Sequence, residues 1–281
     1  MKMKRNNILF TIFLAAILFF LLSPSLTYAG EDALTLLEEG SELISEGKYP
    51  EAIDILTRAI SLDFPPDYNV EQNYGVIYAN RADAYYKMGF DDDALSDYNT
   101  SLILDPGNPQ ALNNRGIIKS DRGDFKGALK DFTNAIEIDK MLTSAYLNRG
   151  ELLADGGKYS EALDDFSSYI LLVADKPDVY NMRGEVYIKE KKYNLAIADF
   201  ERALFLDADN SDAMRNLGRV YLATGEYVRA EKELNSAIAQ NPDDAQSYIL
   251  RAKVREALGN VSGAEADKKK AKEINPNLSI D

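Results

Sequence analysis

The chain has 281 residues, of which 46% are hydrophobic and 28% charged, a composition typical of a folded protein rather than a disordered one. It contains no histidine, cysteine or tryptophan, which excludes disulfides, thiol nucleophiles, histidine acid–base catalysis and the usual zinc, haem and iron–sulfur ligands. The first thirty residues hold three of the 32 basic residues and none of the 46 acidic ones, so the remainder carries a net charge of −17. That balance argues against nucleic acid and anionic membrane surfaces as partners.

The first 29 residues have a character of their own. Three basic residues precede a run of mostly apolar residues at 8–22, which breaks at Pro24 and is followed by small residues up to Ala29. This layout is typical of a secretory signal peptide, and we predict cleavage after Ala29 and export to the periplasm or the medium. The alternative is an uncleaved signal anchor, because the 19 residues 8–26 are just long enough to span a bilayer.

From residue 33 the sequence repeats itself every 34 residues, which predicts an array of similar structural units. The copies begin at Ala33, Gly75, Pro109, Thr143, Pro177, Ser211 and Ala245. An insertion near 64–72 separates the first two copies, and a short tail, 277–281, follows the last. We number positions from the first residue of each copy. Positions 8 and 20 are always glycine or alanine, and position 15 is glycine in every copy except one, where it is Lys191.

These columns predict two helices per repeat, here called helix A and helix B. Small residues at positions 8 and 20 let the two helices approach closely, and glycine at position 15 ends helix A by entering the left-handed region. Proline at position 32 stops helix B in three copies. Lys140, Ala174 and Ala208 replace this proline, so we expect the B helices of repeats four and five to enter their turns differently.

With this period and these small residues, the sequence resembles the tetratricopeptide repeat family over residues 33–276. The resemblance implies an all-α fold, a right-handed superhelical solenoid of about seven helix-turn-helix repeats spanning 30–276, with helix A of each repeat lining a concave groove. It also implies a scaffold that binds a protein or peptide.

An arginine column at position 7 departs from the apolar residue that this family usually has there. Aspartate occupies position 23 of helix B in the same copies, and arginine binds a carboxylate bidentately. We predict a structural ladder of Arg–Asp pairs, within a repeat or with the next one; the alternative is ligand binding. The members are Arg81, Arg115, Arg149, Arg183, Arg251, Asp97, Asp131, Asp165, Asp199 and Asp267.

The family resemblance also implies which side chains face the groove. Their character changes along the array from apolar in repeats one and two to acidic in the middle and basic in repeat six, with asparagines on the floor that can bind a peptide backbone. The predicted groove residues are Asn80, Asn114, Asn148, Asn181, Asn216, Glu151, Asp155, Asp178, Glu185, Arg215 and Arg219.

No motif predicts catalysis, a cofactor or a metal. Pairs of adjacent aspartates do not share a helix face, and the run Lys268–Lys270 is interpreted as the polar outer face that a terminal repeat needs for solubility. We therefore predict an exported, non-enzymatic scaffold that binds a protein or peptide segment. The alternatives are a membrane-anchored envelope assembly factor and a self-associating structural protein, and the sequence indicates neither the partner nor the oligomeric state.

Overall fold

In a computed structural model, which describes residues 32–63 and 69–278, the chain is an all-α repeat protein with fourteen helices and no strand in those ranges. The predicted signal peptide lies outside the described residues. The A helices are α1 (Ala33–Ser45), α3 (Val70–Lys87), α5 (Pro109–Asp121), α7 (Thr143–Asp155), α9 (Pro177–Lys189), α11 (Ser211–Thr224) and α13 (Ala245–Ala257). The B helices are α2 (Tyr49–Ile60), α4 (Asp91–Leu104), α6 (Phe125–Ile138), α8 (Tyr159–Leu172), α10 (Tyr193–Leu206), α12 (Tyr227–Gln240) and α14 (Val261–Ile274).

The turn between helices A and B depends on a residue with positive φ. The six glycines at position 15 have φ between 73° and 80°, which confirms the predicted left-handed turn. Lys191 adopts the same conformation with φ of 58°, although its Cβ makes this region unfavourable. The packing of helix A on helix B therefore imposes the geometry of the turn. Glycine lowers the conformational cost of that geometry.

The ends of the B helices correct one expectation. Repeats four and five, which lack proline at position 32, end helix B at a residue whose backbone angles match those in repeats two, three, six and seven, so the expected difference was wrong. Helix B of repeat one ends instead at Ser61, which is in the helical region. Most of these turns depend instead on the residue after the helix, whose side-chain oxygen accepts a hydrogen bond from the N–H two residues later. Asp105, Asp139, Asp207, Asn241 and Asn275 all do so, over 2.8–3.3 Å.

Close packing of helix A on helix B forms the core of each repeat. The position-24 side chains of repeats one to six are buried, and an added Cβ at Gly116 would lie 2.6 Å from Phe132 Cε1. Glycine therefore fits at position 8 without change, and a larger residue such as alanine fits only if the neighbouring side chains shift slightly. Helix α3 begins at Val70, five residues before position 1 of its repeat, so the end of the predicted insertion is helical.

Five Arg–Asp rungs connect the two helices of a repeat. In each, the arginine Nε and Nη2 donate to the two carboxylate oxygens of the aspartate sixteen residues later, over 2.6–2.9 Å. The structure thus places all five predicted pairs together, and each lies within a repeat. The aspartate side chains are only 2–8% exposed, so each is a buried charge that its arginine compensates. Lys119 also pairs with Asp131, and Arg255 with Asp267.

Each rung also extends to the preceding repeat. The free Nη1 of the arginine donates to a neutral oxygen at position 25 of the previous helix B, over 2.7–3.2 Å; these acceptors are Thr57, Asn99, Thr133, Ser167 and Asn235. One guanidinium therefore connects three helices. Repeat six has no rung: Leu217 is buried there instead, and Glu233 pairs with the exposed Lys232.

Candidate functional site on the concave face

The A helices line the inner side of the stack. A helices of neighbouring repeats contact each other directly along most of the array, whereas no B helix among the described residues contacts another B helix to that extent. A stack in which one layer of helices is closer together than the other curves toward that layer. We call the surface formed by the A helices the concave face.

A cavity of about 350 Å³ opens on this face between α7 and α9. We call it the acidic pocket. It is lined by Glu151, Ala154, Asp155, Tyr159, Phe166, Met182, Glu185, Val186 and Lys189. Three of the four predicted groove acids thus converge on one site. The fourth, Asp178, is exposed in the first turn of α9 and does not line the pocket.

The carboxylates of this pocket differ in how they are compensated. Partial burial, and secondly the negative charge of Asp155, raise the pKa of Glu151. Among the described residues, neither Glu151 nor Asp155 forms an ion pair. Glu185 is compensated: it accepts a hydrogen bond from Asn216 Nδ2 over 3.1 Å and lies 3.7 Å from Arg219 Nη2. The α7 side of the pocket therefore carries most of its uncompensated negative charge.

The predicted basic end of the groove is largely neutralised within the chain. Arg215 forms ion pairs with Asp244 at 3.0 Å and with Asp212 at 2.7 Å. Arg219 faces Glu185, burial lowers its pKa, and its buried Nε has no hydrogen-bond partner among the described residues. The predicted change from acidic to basic along the groove is thus weaker than the residue types alone indicate.

The five groove asparagines all use their amide nitrogens within the chain. Three of them, at position 6, donate to position 9 of the preceding A helix: Asn80 to Ser41 Oγ, Asn114 to Asp83 Oδ1 and Asn216 to Glu185 Oε1. The other two donate to asparagine oxygens: Asn148 Nδ2 donates to Asn113 Oδ1 of the preceding repeat, and Asn181 Nδ2 donates to Asn210 Oδ1 at the start of α11. They act first as clamps between repeats, which the sequence prediction had missed.

For two of them the structure contradicts a surface role. Asn216 is 1% exposed and Asn181 is 8% exposed, so neither side chain lies at the surface of the groove as predicted. The physical reason is contact with the neighbouring A helix or its cap: Asn181 packs against Asn210, which caps the start of α11, and Asn216 packs against Glu185 of α9. Asn80, Asn114 and Asn148 remain partly exposed.

A second polar cluster on the concave face was not predicted. Asp83 of α3 accepts hydrogen bonds from Tyr98 Oη and from Asn114 Nδ2, the latter over 2.9 Å. Burial raises the pKa of Asp83, and burial together with the charge of Asp83 raises that of Tyr98. The sequence signal that could have found it is an acid at position 9, the position also held by Glu151 and Glu185.

The acidic pocket is chemically suited to a long cationic side chain. Ala154, Met182 and Val186 offer apolar contacts to a methylene chain, and the three carboxylates of the lining outnumber its one ammonium group, that of Lys189. The described residues contain no group of three or more acids arranged to hold a metal ion. In the same part of the chain, no helix combines the length and apolar character needed to cross a membrane.

Comparison with known proteins agrees with this architecture. Family models described as tetratricopeptide repeat match residues 79–139, 117–178 and 187–254, together more than half of the chain. The chain belongs to the tetratricopeptide repeat family. The matches include α7 and α8 but leave out residues 179–186 of α9, so the α9 side of the acidic pocket lies mostly outside them.

Two solved structures and one curated relative illustrate the similarity. The C-terminal part of a TPR repeat-containing protein from Cytophaga hutchinsonii superposes with a TM-score of 0.66 at 19% identity, covering 86% of this chain and 96% of that one. YrrB, described as a TPR protein with an unusual peptide-binding site, gives a TM-score of 0.54 at 21% identity, covering 65% and 94%. The photosystem I assembly protein Ycf3 of Rippkaea orientalis is 30% identical over 96 residues, 34% of this chain and 51% of Ycf3. The chain thus matches about half of the length of that relative, and the structural matches establish the fold alone.

Proposed function

We propose that this protein is an exported, non-enzymatic scaffold that binds a protein or peptide segment along its concave face, with a lysine or arginine of that segment in the acidic pocket. The observation that carries the proposal is the convergence of Glu151, Asp155 and Glu185 on one cavity whose lining also includes apolar side chains and a single cation, Lys189. A partner of opposite charge also suits this chain, whose residues after the first thirty carry a net charge of −17.

The comparisons support protein binding without naming a partner. YrrB is described as having a peptide-binding site, and Ycf3 as an assembly protein; both descriptions belong to those proteins. Many shallow contacts along an extended groove give modest affinity, so one deep charged contact would contribute strongly to selectivity.

The test is selection of a displayed random-peptide library on the full chain. We expect enrichment of peptides with lysine or arginine, and loss of their binding when Glu151, Asp155 and Glu185 are all changed to lysine. The matched control changes three exposed acids away from the concave face, Glu137, Glu201 and Asp243, to lysine. Equal binding by the wild type and the pocket variant would refute the assignment of the pocket.

Export is proposed on the N-terminal sequence pattern alone. Sequencing the N-terminus of the protein isolated from its native envelope tests it, with a start at Gly30 expected for the cleaved form. Retention of residues 1–29 would favour the membrane-anchored alternative. A crosslinked pull-down from the same envelope, analysed by mass spectrometry, would identify the partner.

A further inference from the structure

The two ends of the solenoid carry charges of opposite sign. Residues 32–63 of repeat one contain eight acidic and two basic residues, whereas residues 245–278 of repeat seven contain seven basic and four acidic ones. A polar end is needed for solubility, but charges of either sign would serve that purpose equally at both ends. The opposite signs therefore call for a second explanation.

The first end, here called the N-terminal face, holds a cavity of about 500 Å³ lined by Glu39, Leu43, Pro50, Glu51, Asp54 and Ile55. The equivalent cavity at the joint between repeats three and four has Arg149 and Leu153 in place of Glu39 and Leu43. There, Leu129 and Thr133 of the preceding repeat complete the lining. The N-terminal face is thus one half of a repeat joint, with an apolar centre and an acidic rim.

The other half of such a joint is the outer side of repeat seven, here called the C-terminal face. Position 28 is isoleucine or leucine in the first six repeats and packs in their apolar clusters, but in repeat seven it is Lys272. Position 25, which accepts the arginine Nη1 of the following repeat, is Lys269 there. Position 9, which accepts the position-6 asparagine of the following repeat at three joints, is Lys253.

Two pairs of repeat positions contact each other across an internal joint. At the two ends of the solenoid, the residues at these positions carry opposite charges. Position 7 donates to position 25 inside the solenoid; at the ends these positions are Glu39 and Lys269. Position 6 donates to position 9 inside the solenoid; at the ends they are Glu38 and Lys253. All four side chains are exposed.

We infer that copies of this chain associate head to tail, with the C-terminal face of one copy against the N-terminal face of the next. The contact repeats the geometry of an internal joint, with ion pairs replacing the neutral hydrogen bonds. Such a contact uses two different surfaces and is heterologous, so it extends the superhelix as an open filament unless the rotation closes a ring. This inference does not depend on the proposed function of the concave face.

The test is the mass of the full chain in mild non-ionic detergent, measured by sedimentation velocity against concentration and salt. The wild type is expected to grow in mass with concentration and to shrink with added salt. Glu38→Lys/Glu39→Lys and Lys253→Glu/Lys269→Glu should each remain monomeric, because each pairs like charges. An equimolar mixture of the two variants should recover the growth, because each then offers the complement of the other. The control Glu137→Lys/Glu201→Lys should behave like the wild type, and circular dichroism verifies the fold of each variant.

A wild type that stays monomeric overturns the inference. Association that persists in both reversal variants also overturns it, since contact through residues 1–31 or through another surface would be insensitive to these charges. A second readout uses the absence of native cysteine: Glu39→Cys/Lys269→Cys treated with a short bismaleimide should give a ladder of covalent oligomers. Glu39→Cys alone should give no ladder beyond a dimer.

Discussion

Arg149 and Glu151 lie two residues apart on α7, yet they belong to opposite electrostatic environments. Arg149 points toward α8, where it is bound bidentately by Asp165 and also donates to Thr133 of the preceding repeat. Glu151 points into the acidic pocket and forms no ion pair among the described residues. The same helix thus uses one charge to hold the array together and leaves the other for the concave face.

The neighbouring repeat explains the difference. Glu185, which occupies the same position 9 as Glu151, is met by Asn216 at position 6 of the next A helix. The residue at position 6 opposite Glu151 is Met182, which cannot donate a hydrogen bond. A carboxylate on the concave face is therefore left uncompensated where the asparagine clamp is interrupted.

The largest expected effect is on the paired side. Arg149→Leu leaves Asp165 as a buried charge without its partner, and we expect a loss of about 3–5 kcal/mol in the free energy of unfolding. Arg149→Leu/Asp165→Leu should be much milder, because the remaining charge is removed. Urea denaturation measures both, and Glu151→Leu on the same helix is the control, with a change within about 0.5 kcal/mol. Equal losses in the single and double variants would refute the role of the rung.

A smaller effect is expected from the connection to the preceding repeat. Thr133→Val removes the oxygen that accepts from Arg149 Nη1 over 3.2 Å. We expect a loss of about 1 kcal/mol, because the partly exposed guanidinium can bind water instead. Thr100→Val is the control, since the Thr100 hydroxyl donates only to the Ser96 carbonyl of its own helix. A cost as large as that of Arg149→Leu would mean that the link between repeats, rather than the rung, holds the array.

The smallest effect concerns Asp83, a partly buried acid of the concave face. Burial raises the pKa of Asp83 above its ordinary value of 3.8, so the folded state binds a proton more tightly than the unfolded state. The charged form therefore lowers stability at neutral pH, and this loss disappears as the pH falls through the raised pKa to below 3.8. Asp83→Asn retains Oδ1 as the acceptor for Tyr98 and Asn114.

We therefore expect Asp83→Asn to be slightly more stable than the wild type at pH 7. The difference should shrink toward zero as the pH falls to about 3, where carboxyl groups with ordinary pKa values are mostly protonated. Thermal unfolding of the two proteins across this range provides the measurement. Asp178→Asn, at an exposed position of the same face, should show no such trend. A variant less stable than the wild type at pH 7 would mean that Asp83 gains more from its hydrogen bonds as a charged group.

Much of the fold could be predicted from local patterns. The glycines at position 15 and the small residues at position 8 recur with the 34-residue period, and their conformational reasons act within one helix pair. The similar ends of the B helices were not predicted, because the expectation depended on proline at position 32. The turn depends instead on the side-chain oxygens of residues such as Asp139 and Asp207.

The groove was predicted less well, and the reason is geometric. The groove residues were predicted from their positions along a single helix A. Whether such a side chain is exposed depends also on helix A of the next repeat. Asn216 occupies a groove position by number and is nonetheless buried. Glu151, Asp155 and Glu185 were predicted as part of an acidic stretch of the groove, and only the packing of α7 against α9 makes them one pocket.

The 34-residue period and the two helices per repeat follow from the sequence, because each depends on residues within one 34-residue unit. The Arg–Asp ladder was predicted as well, but the sequence left open whether each pair lies within a repeat or joins two repeats. Only the tertiary structure decided that Arg149 pairs with Asp165 of its own repeat. The packing of successive repeats decides that the five rung arginines also reach back to the preceding repeat, that the groove asparagines act as clamps, and which carboxylates remain uncompensated. Those contacts join side chains of different repeats, and whether they form depends on how closely two successive repeats pack.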